Sequence, residues 1–475
     1  MKIEQIYTGC LAQGAYYIES KGEAAVIDPL REVQPYIDIA NKRNAQIKYI
    51  FETHFHADFV SGHIDLAKKT GAQIVYGPTS MKTGYEMISA EDGQIFNVGD
   101  AKIKVIHTPG HTLESSCFLL IDEIGKETAL FTGDTLFLGD VGRPDLAQHV
   151  ISDLTEEKLA GMLYDSLQNK IMPLSDDIIV YPGHGAGSPC GKNLSKETSD
   201  TLGNQKKTNY ALRPGLTKEV FMKELLEGLT PPPGYFPKNV LMNIQGYESI
   251  DKVLKKGQKA LSPKEFEFIA FETRALVLDT RNAIDFSNAH IPNSINIGLD
   301  GQFAIWAGTL IPDIQQEILV VAEPGKEEEV VTRLARVGYD NTIGYLEGSI
   351  NAWIKAGFET DSIKNVTAEE LSKIVQDADE KPIILDVRKE SEHYSEHLIG
   401  STNTPLDYIN ESMLKVKKDK IQYVYCGTGY RSMTFISILK ARGYDHLINV
   451  RGGFKSLKDS ELFQLSEYQC PTTML

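Results

Sequence analysis

The chain has little of what secreted, membrane-spanning or disulfide-rich proteins carry. It has no run of about 18 apolar residues that would predict a membrane span, and its first residues lack the apolar core of a signal peptide. Its five cysteines are scattered and odd in number, which favours reactive thiols in a reducing compartment over a disulfide framework. These features predict a cytoplasmic protein.

Positive charge is also in short supply. There are 49 Lys and Arg residues against 65 Asp and Glu residues, a formal net charge of -16. Such a chain repels phosphate, so we expect neither a nucleic-acid nor a membrane partner. At 475 residues it exceeds what one hydrophobic core normally supports, which predicts several domains, each with its own interior.

The segment 53–63 holds the strongest candidate site. It follows an apolar, β-branched and aromatic run at 47–51 that is typical of a buried strand. His54 and His56 lie two positions apart, so both imidazoles can turn towards one ion, with Asp58 close behind to ligate or orient it. Isolated histidines are usually surface or packing residues, but three ionisable groups at alternate positions favour a metal site.

Three further strand-like runs end in glycine-containing loops that carry a histidine or an aspartate. These loops hold His111, Asp134 and His184. Ligands gathered from the ends of several strands form one site at the edge of a sheet-based fold, which scattered histidines would not do. We therefore expect the four loops to converge on one metal centre.

The order and spacing of these residues resemble the metallo-β-lactamase superfamily, which implies an αββα sandwich over residues 1–248. Members of the glyoxalase II type have a histidine directly after the aspartate that corresponds to Asp58, and that histidine helps to hold a second zinc. Phe59 stands at this position here, and an aromatic ring cannot ligate. The sequence therefore favours a mononuclear centre, although Asp58 and His184 remain available for a weak second ion.

Resemblance to the persulfide dioxygenase branch implies an Fe(II) site, with one iron per chain and O₂ as co-substrate. The ligands carried over are His54, His111 and Asp134, the two-histidine, one-carboxylate set of non-haem oxygenases. His56 is either an additional ligand or a hydrogen-bond donor behind the ligands. His184 either holds a second ion or is a structural histidine beside the first.

Two more residues are candidates for substrate handling. Arg143 either binds an anionic substrate or pairs with carboxylates to set the Asp134 loop. Cys190, between a proline and a glycine, is interpreted as a solvent-reachable thiol whose pKa Lys192 lowers and which handles substrate sulfur. The alternative for Cys190 is an inert packing residue.

A proline-rich segment at 230–237, predicted to be neither helix nor central strand, precedes a linker near 247–261. Beyond it the chain repeats, because 278–281 and 289–296 recur with a constant offset at 385–388 and 396–403. Both copies show an α/β pattern and resemble rhodanese domains, predicted at 249–363 and 364–475. We expect the aspartate and arginine of these segments, Asp279 and Arg281 in the first copy and Asp386 and Arg388 in the second, to stabilise the fold rather than to catalyse.

The two copies differ at the loop that would carry the chemistry. In the second, a strand leads to Cys426, and Gly427 and Gly429 shape a loop at a helix N-terminus whose N–H groups stabilise a thiolate or persulfide. Arg431 adds a positive charge, and the alternative is a buried structural cysteine. In the first copy, aligned by eye, Ala322 and Glu327 replace Cys426 and Arg431, which predicts a catalytically silent pseudo-rhodanese.

The complete chain is thus predicted to be an α/β multidomain protein, and it resembles bacterial persulfide dioxygenase–rhodanese fusion proteins of sulfide detoxification. This resemblance implies that a low-molecular-weight persulfide is oxidised to sulfite and that Cys426 forms or uses thiosulfate; we expect a homo-oligomer, dimer or tetramer. Two rivals remain. One is a dinuclear zinc thioester hydrolase of the glyoxalase II type fused to a rhodanese, and the other is a sulfur-relay protein active only at Cys426.

Overall fold

The computed structural model describes residues 1–145, 154–192, 194–229 and 231–470. The chain forms two compact units. Unit one contains Met1–Ile250 and Ala335–Gly338, and unit two contains Asp251–Leu334 and Tyr339–Leu475. Within the described ranges no helix is both long and apolar enough to cross a membrane.

Unit one is built on two six-stranded sheets. The first sheet runs in chain order, antiparallel from β1 to β3 and parallel from β3 to β6, whereas the second is antiparallel except for the β10–β11 pair. The strands are β1 (Lys2–Thr8), β2 (Gln13–Ser20), β3 (Glu23–Ile27), β4 (Gln46–Glu52), β5 (Gln73–Tyr76) and β6 (Ile88–Ser89), then β7 (Ile95–Val98), β8 (Ala101–His107), β9 (Ser116–Ile121), β10 (Glu127–Gly133), β11 (Ile179–Pro182) and β12 (Asp200–Thr201).

Helices cover the outer faces of both sheets. The first two pack against β4, while α3 and α5 pack on each other over the second sheet. They are α1 (Gln34–Arg43), α2 (His63–Thr70), α3 (Glu156–Ser166, continued by a π-helical turn at Leu167–Ile171), α4 (Leu202–Thr208), α5 (Lys218–Leu226) and α6 (Phe236–Gln245), with a 3₁₀ turn at Tyr210–Leu212. The predicted αββα sandwich is confirmed.

Strand β9 shows why these layers form. Its alternating side chains point to opposite faces, so Phe118 and Leu120 enter the core between the sheets while Cys117 and Leu119 enter the core beneath the helices. All four are fully buried. Burial of one large apolar side chain contributes about 1.5–3 kcal/mol, so both cores depend on this alternation.

The proline-rich segment differs in part from its prediction. Thr230 lies outside the described residues, but α6 begins at Phe236, inside the segment predicted to be non-helical. Proline is tolerated in the first helical turn because the N–H it lacks would have no intrahelical partner there, and Pro237 occupies that turn. The prediction was therefore wrong for the last two residues of the segment.

Unit two contains two five-stranded parallel sheets with corresponding strand orders, β13-β17-β16-β14-β15 and β18-β22-β21-β19-β20. This correspondence confirms the internal repeat. The strands are β13 (Ala260–Leu261), β14 (Leu276–Asp279), β15 (Ile295–Asn296), β16 (Ile318–Val321) and β17 (Thr342–Leu346), then β18 (Asn365–Val366), β19 (Ile383–Asp386), β20 (Thr402–Asn403), β21 (Gln422–Tyr425) and β22 (Leu447–Val450).

The helices of the repeats follow the same alternation with strands. The first, α7 (Ile250–Gly257), lies in the stretch predicted as the linker. The limits 1–248, 249–363 and 364–475 remain predictions. The others are α8 (Pro263–Thr273), α9 (Ala283–Asn288), α10 (Phe303–Leu310), α11 (Glu327–Arg336), α12 (Ser349–Lys355), α13 (Ala368–Asp377), α14 (Glu390–Ser395), α15 (Ile409–Ser412), α16 (Tyr430–Ala441) and α17 (Gly453–Asp459), with 3₁₀ turns at Leu406–Tyr408 and Met413–Lys415.

An aspartate–arginine pair holds the equivalent corner of each repeat. Arg281 donates from Nε to Asp279 at 3.0 Å, and Arg388 does the same to Asp386 at 2.9 Å. Each guanidinium also donates from Nη2 at 2.8 Å to a backbone carbonyl eight residues onward. Both pairs are buried, as expected of groups that hold the fold.

Candidate functional site

Three buried side chains from three strand ends meet in unit one. His54 follows β4, His111 follows β8 and Asp134 follows β10, and their candidate ligand atoms all lie within 4.8 Å of one another. The His111 Nε2 lies 3.5 Å from Asp134 Oδ2. Neither carboxylate oxygen of Asp134 has a hydrogen-bond partner among the described residues, although both are buried. A buried carboxylate left without hydrogen bonds beside two imidazoles fits a bound cation.

Hydrogen bonds set the tautomer of both imidazoles. The Nδ1 of His111 lies 2.8 Å from the Arg143 carbonyl oxygen, which only accepts, so Nδ1 carries the proton. The Thr53 hydroxyl donates to Asp28 and therefore accepts from Nδ1 of His54, 3.0 Å away. In both rings Nε2 keeps its lone pair, which is the state that binds a metal.

Gly142 allows the loop after β10 to lie directly on these ligands. Its N–H donates to the backbone oxygen of Asp134 at 3.0 Å. A Cβ at this position would come within 2.0 Å of that oxygen and 2.9 Å of the His111 Nδ1. Any larger residue would therefore push the loop away from two of the three candidate ligands.

His56 is held by two carboxylates. Its Nε2 lies 3.1 Å from Asp28 Oδ1 and 3.2 Å from Glu52 Oε2, and its ring packs on that of Phe59 with centroids 4.3 Å apart. Burial opposes a charged imidazole, but the two carboxylates outweigh it and hold the pKa of His56 well above its usual range. The geometry places His56 behind the candidate ligands, and its role as a further ligand stays a prediction.

Asp28 and Glu52 were not identified from the sequence as site residues. Asp28 follows β3 and Glu52 ends β4, so both come at the end of an apolar strand. The same strand-end signal that pointed to His111 and Asp134 would have found them.

A second cluster lies next to the first and contains Asp58, His184 and Cys190, again with candidate ligand atoms within 4.8 Å of one another. The His184 Nε2 lies 3.3 Å from Asp58 Oδ2 and 3.6 Å from Asp134 Oδ1. Phe59 is fully buried and contributes no donor atom. This cluster has the nitrogen, oxygen and sulfur donors that a soft cation accepts.

Cys190 differs from the solvent-reachable thiol that the sequence predicts. Its side chain is 1% exposed, and burial, with Asp58 and Asp134 nearby, raises the pKa of the thiol well above its usual range. The Lys192 Nζ instead donates to the backbone oxygen of Glu224 at 3.0 Å. The prediction of an exposed, acidified thiol was wrong, while participation in sulfur handling stays a prediction.

Arg143 is engaged by the protein itself. Its guanidinium donates two hydrogen bonds to Asp145, at 2.6 and 2.5 Å, and a longer one to the Pro189 carbonyl. The side chain is buried. Of the two roles considered, the ion pair is the one observed, and substrate binding stays a prediction.

Asn243 of α6 stabilises the segment 53–63 through hydrogen bonds. Its Nδ2 donates to the backbone oxygens of His56 and Phe59 at 2.8 and 2.9 Å, while its Oδ1 accepts from the Ser61 N–H at 2.9 Å. Sequence reasoning missed this residue. It lies 187 positions beyond His56, and no local pattern connects the two.

In unit two the loop between β21 and α16 begins with Cys426, whose side chain is buried. The Gly429 N–H donates to its sulfur at 3.1 Å, and the Ser432 hydroxyl lies 3.5 Å from the sulfur. Arg431 is not a free cation, because it donates two hydrogen bonds to Glu392, at 2.5 and 2.8 Å. Glu392 is on α14, and sequence reasoning missed it because nothing local announces a pairing across the fold.

Gly427 and Ala322 complete the comparison of the two loops. A Cβ at Gly427 would come 3.3 Å from the Arg431 Nη2, so glycine lets the guanidinium approach the loop. In the first repeat Ala322 directly follows β16, as Cys426 follows β21, and α11 begins at Glu327. The first loop thus has no thiol where the second has Cys426.

A cavity of about 360 Å³ opens beside Cys426. Both repeats line it. The lining residues are Asp300, Gly301, Gln302, Trp306, Lys389, Glu392, Cys426, Thr428, Tyr430 and Arg431.

Comparisons with known proteins agree with this architecture. The family model described as metallo-beta-lactamase superfamily matches residues 8–184, and the rhodanese-like domain model matches 262–356 and 367–460. Among solved structures, a metallo-beta-lactamase from Staphylococcus aureus subsp. aureus COL is 32% identical with a TM-score of 0.63, covering 73% of this chain and 98% of that one.

Two curated relatives each match little more than a third of this chain. The hydroxyacylglutathione hydrolase of Pelagibacter ubique (strain HTCC1062) is 32% identical over 179 residues, which are 37% of this chain and 68% of the relative. That of Francisella tularensis subsp. novicida (strain U112) is 35% identical over 169 residues, 36% of this chain and 61% of the relative. The chain thus spans about two thirds of these relatives' own lengths.

Proposed function

Because the chain belongs to the metallo-β-lactamase superfamily and continues into two rhodanese-like domains, we propose that it is a non-haem Fe(II) persulfide dioxygenase coupled to a sulfurtransferase. In this proposal the metal domain oxidises a low-molecular-weight persulfide to sulfite. Cys426 then forms thiosulfate from that sulfite, or works in the reverse direction to supply persulfide.

The meeting of His54, His111 and Asp134 is the observation that carries the oxidase half of the proposal. Two imidazoles and one carboxylate form the ligand set typical of non-haem Fe(II) oxygenases, and an iron held by them would supply the activation of O₂. Phe59 removes the additional imidazole that helps hydrolytic relatives to hold a second zinc. Asp28 and Glu52 engage His56 behind the ligands, which favours a three-residue set.

The reaction in the metal domain is written RSSH + O₂ + H₂O → RSH + SO₃²⁻ + 2 H⁺. The outer sulfur loses four electrons, which O₂ accepts, and the organic thiol is released. Iron supplies the activation of O₂ when it is bound. The chain holds the two imidazoles as Nδ1–H tautomers through the Arg143 carbonyl and the Thr53 hydroxyl, so that the Nε2 lone pair of each ring is available to a metal.

The transfer step belongs to Cys426. Its thiolate attacks the outer sulfur of a persulfide, a new S–S bond forms on the protein, and the organic thiolate leaves and takes a proton from water. Sulfite then attacks the bound outer sulfur, which releases thiosulfate and restores the thiolate. The Gly429 N–H, donating to the sulfur, stabilises the anionic state at both ends of this cycle.

Metal analysis with O₂ uptake on a panel of persulfides tests the proposal. We expect about one iron per chain, with sulfite as the product in a Cys426→Ser variant that cannot consume it. Asp134→Ala should abolish O₂ uptake and leave transfer at Cys426 intact. Loss of all activity on replacement of Cys426, with no effect of His111→Ala, would instead identify a sulfur-relay protein without a working dioxygenase.

A dinuclear zinc thioester hydrolase is the second candidate. The cluster of Asp58, His184 and Cys190 beside Asp134 favours it, as does the similarity to proteins named hydroxyacylglutathione hydrolase. Two zinc ions per chain and hydrolysis of S-lactoylglutathione without O₂ uptake would replace the oxidase by this function.

Substitution of Phe59 separates the two candidates. On the dioxygenase proposal, Phe59→His raises the metal content above one ion per chain, because it supplies the missing imidazole. On the hydrolase reading the wild type already binds two ions and the substitution adds none. Phe59→Leu, which changes the shape of this buried side chain without adding a donor, is the matched control.

A further inference from the structure

The cavity beside Cys426 has a wall from the repeat that has no nucleophile. Asp300, Gln302 and Trp306 belong to the first repeat, the former two just before α10 and the last within it. Ala322 leaves this repeat without a thiol at the position that Cys426 occupies in the second repeat. Part of its surface nevertheless faces the working thiol of the second repeat.

Packed contacts within unit two hold this wall against the Cys426 loop. The Tyr430 hydroxyl donates to the Gly298 carbonyl at 2.7 Å, and a Cβ at Gly298 would come 3.1 Å from the tyrosine ring. The Asn296 N–H donates to the Ser437 hydroxyl of α16 at 2.8 Å. The segment that leads to Asp300 is therefore fixed to the helix that follows the nucleophile.

The cavity is larger than an inorganic sulfur anion requires. Its volume is about 360 Å³. Volumes of this order are typical of sites for small organic molecules. The rings of Trp306 and Tyr430 provide apolar surface for an organic group.

Charges in the lining are balanced. Lys389 and Arg431 are cationic, whereas Asp300 and Glu392 are anionic, and Glu392 already engages Arg431. A small dianion would meet as much repulsion as attraction. A molecule that carries both an ammonium and a carboxylate can pair with both signs of charge.

We propose that Asp300, Gln302 and Trp306 bind the organic part of a zwitterionic persulfide whose outer sulfur faces Cys426. Asp300 pairs with the ammonium of the donor and Lys389 with its carboxylate, while Trp306 covers its carbon chain. This inference rests on the sulfurtransferase half of the proposed function and is independent of the oxidase half. It makes the silent repeat the element that selects the sulfur donor.

The transfer itself needs no oxidant or reductant. The Cys426 thiolate forms a bond to the outer sulfur of the donor, the S–S bond of the donor breaks, and the electron pair leaves with the organic thiolate, which water protonates. The persulfide on Cys426 passes its outer sulfur to cyanide in the assay, giving thiocyanate and the thiolate.

Anaerobic transfer to cyanide by the full-length protein tests the role of Trp306. The readout is the ratio of kcat/KM with cysteine persulfide to kcat/KM with thiosulfate. We expect Trp306→Ala to lower this ratio about tenfold, a loss of about 1.4 kcal/mol of differential binding. Glu359→Gln, an exposed carboxylate of the same repeat outside the cavity, is the control and should leave the ratio unchanged. A ratio within twofold of wild type in Trp306→Ala, including a parallel fall with both donors, overturns the proposal.

Asp300→Asn tests the ammonium pairing on an exposed residue whose substitution leaves the core intact. The measured ratio compares cysteine persulfide with 3-mercaptopropionate persulfide, which has the carboxylate but no ammonium. We expect the preference for cysteine persulfide to fall at least fivefold, and an unchanged preference overturns the assignment. A wild type that transfers sulfur from none of these donors would overturn the sulfurtransferase itself, whereas missing O₂ uptake would affect only the oxidase half.

Discussion

The two repeats of unit two share a scaffold and differ at one loop. Their sheets have corresponding strand orders, and the same aspartate–arginine pair holds a corner of each. In the first repeat, however, the loop after β16 begins with Ala322. In the second repeat the corresponding loop, after β21, begins with Cys426. The difference teaches that the same pair holds the corner of either copy whether the neighbouring loop begins with alanine or with cysteine. A copy without a thiol therefore keeps the fold and lines the cavity beside the cysteine of the other copy.

Removal of the thiol should produce the largest effect, because it makes the second repeat like the first. Cys426→Ala is expected to lower sulfur transfer by at least about a thousandfold, since no other group in the loop is a nucleophile. Adding Ala322→Cys to that variant should not restore transfer, because Glu327 stands where the active repeat has a cation. Restored thiocyanate formation would show that a thiol alone distinguishes the repeats.

Removal of the guanidinium is the next largest change. Arg431→Ala should lower kcat/KM for transfer from thiosulfate by about a hundredfold, the range typical of losing a charged group that stabilises a developing anion. Glu327→Ala, the matched change in the silent repeat, should change it less than twofold. Equal effects of the two substitutions would contradict the division of roles.

Release of the guanidinium from its carboxylate partner should act in the opposite direction. Glu392→Gln removes the charge that occupies Arg431, so kcat/KM for thiosulfate is expected to rise about two- to fivefold, as for a partly exposed ion pair. Glu390→Gln, an exposed position on the same helix, is the control. A decrease with Glu392→Gln would mean that the carboxylate positions Arg431 rather than competing for it.

The smallest predicted effect is a difference in how acid changes the stabilisation provided by Asp386 and by Asp279. Burial would raise the pKa of Asp386, but hydrogen bonds from His393 and Arg388 outweigh it and lower the pKa, whereas at Asp279 burial outweighs Arg281 and raises it. The stabilisation by Asp386 is therefore complete above the unfolded pKa of about 3.9 and is lost as pH falls through the lower folded value. Protonation of Asp279 instead removes the unfavourable free energy of burying its charged carboxylate.

Hydrogen exchange checks this difference. Between about pH 5 and pH 3, after correction for intrinsic rates, protection of β19 should decline more than protection of β14. An Asp386→Asn variant should lose that additional sensitivity to acid. Equal decline of the two strands would contradict the opposite pKa directions.

Local pattern was sufficient for much of this fold. The apolar run before His54 forms β4, and the run before Asp134 forms β10. The convergence of His54, His111 and Asp134 was also predictable, because side chains at the ends of neighbouring strands share one edge of the fold.

Contacts between distant segments were not predictable. Nothing near Arg431 indicates that Glu392 will hold it, and nothing near Cys190 indicates that its loop folds inward and buries the thiol. A proline–glycine setting usually means exposure, and here the Cys190 carbonyl accepts from the Arg143 N–H at 3.1 Å instead. These outcomes depend on which surfaces pack together, which a local pattern does not contain.

The hydrogen bonds from Asn243 affect when the candidate metal site can form during synthesis. His56 and Phe59 leave the ribosome long before α6, since Asn243 follows His56 by 187 positions. Until α6 has emerged, the backbone carbonyls of His56 and Phe59 lack the Asn243 donor. The loop that bears His54 then lacks this support. Metal capture is therefore expected late in translation, and a nascent chain that ends before α6 should acquire its ion slowly and release it readily.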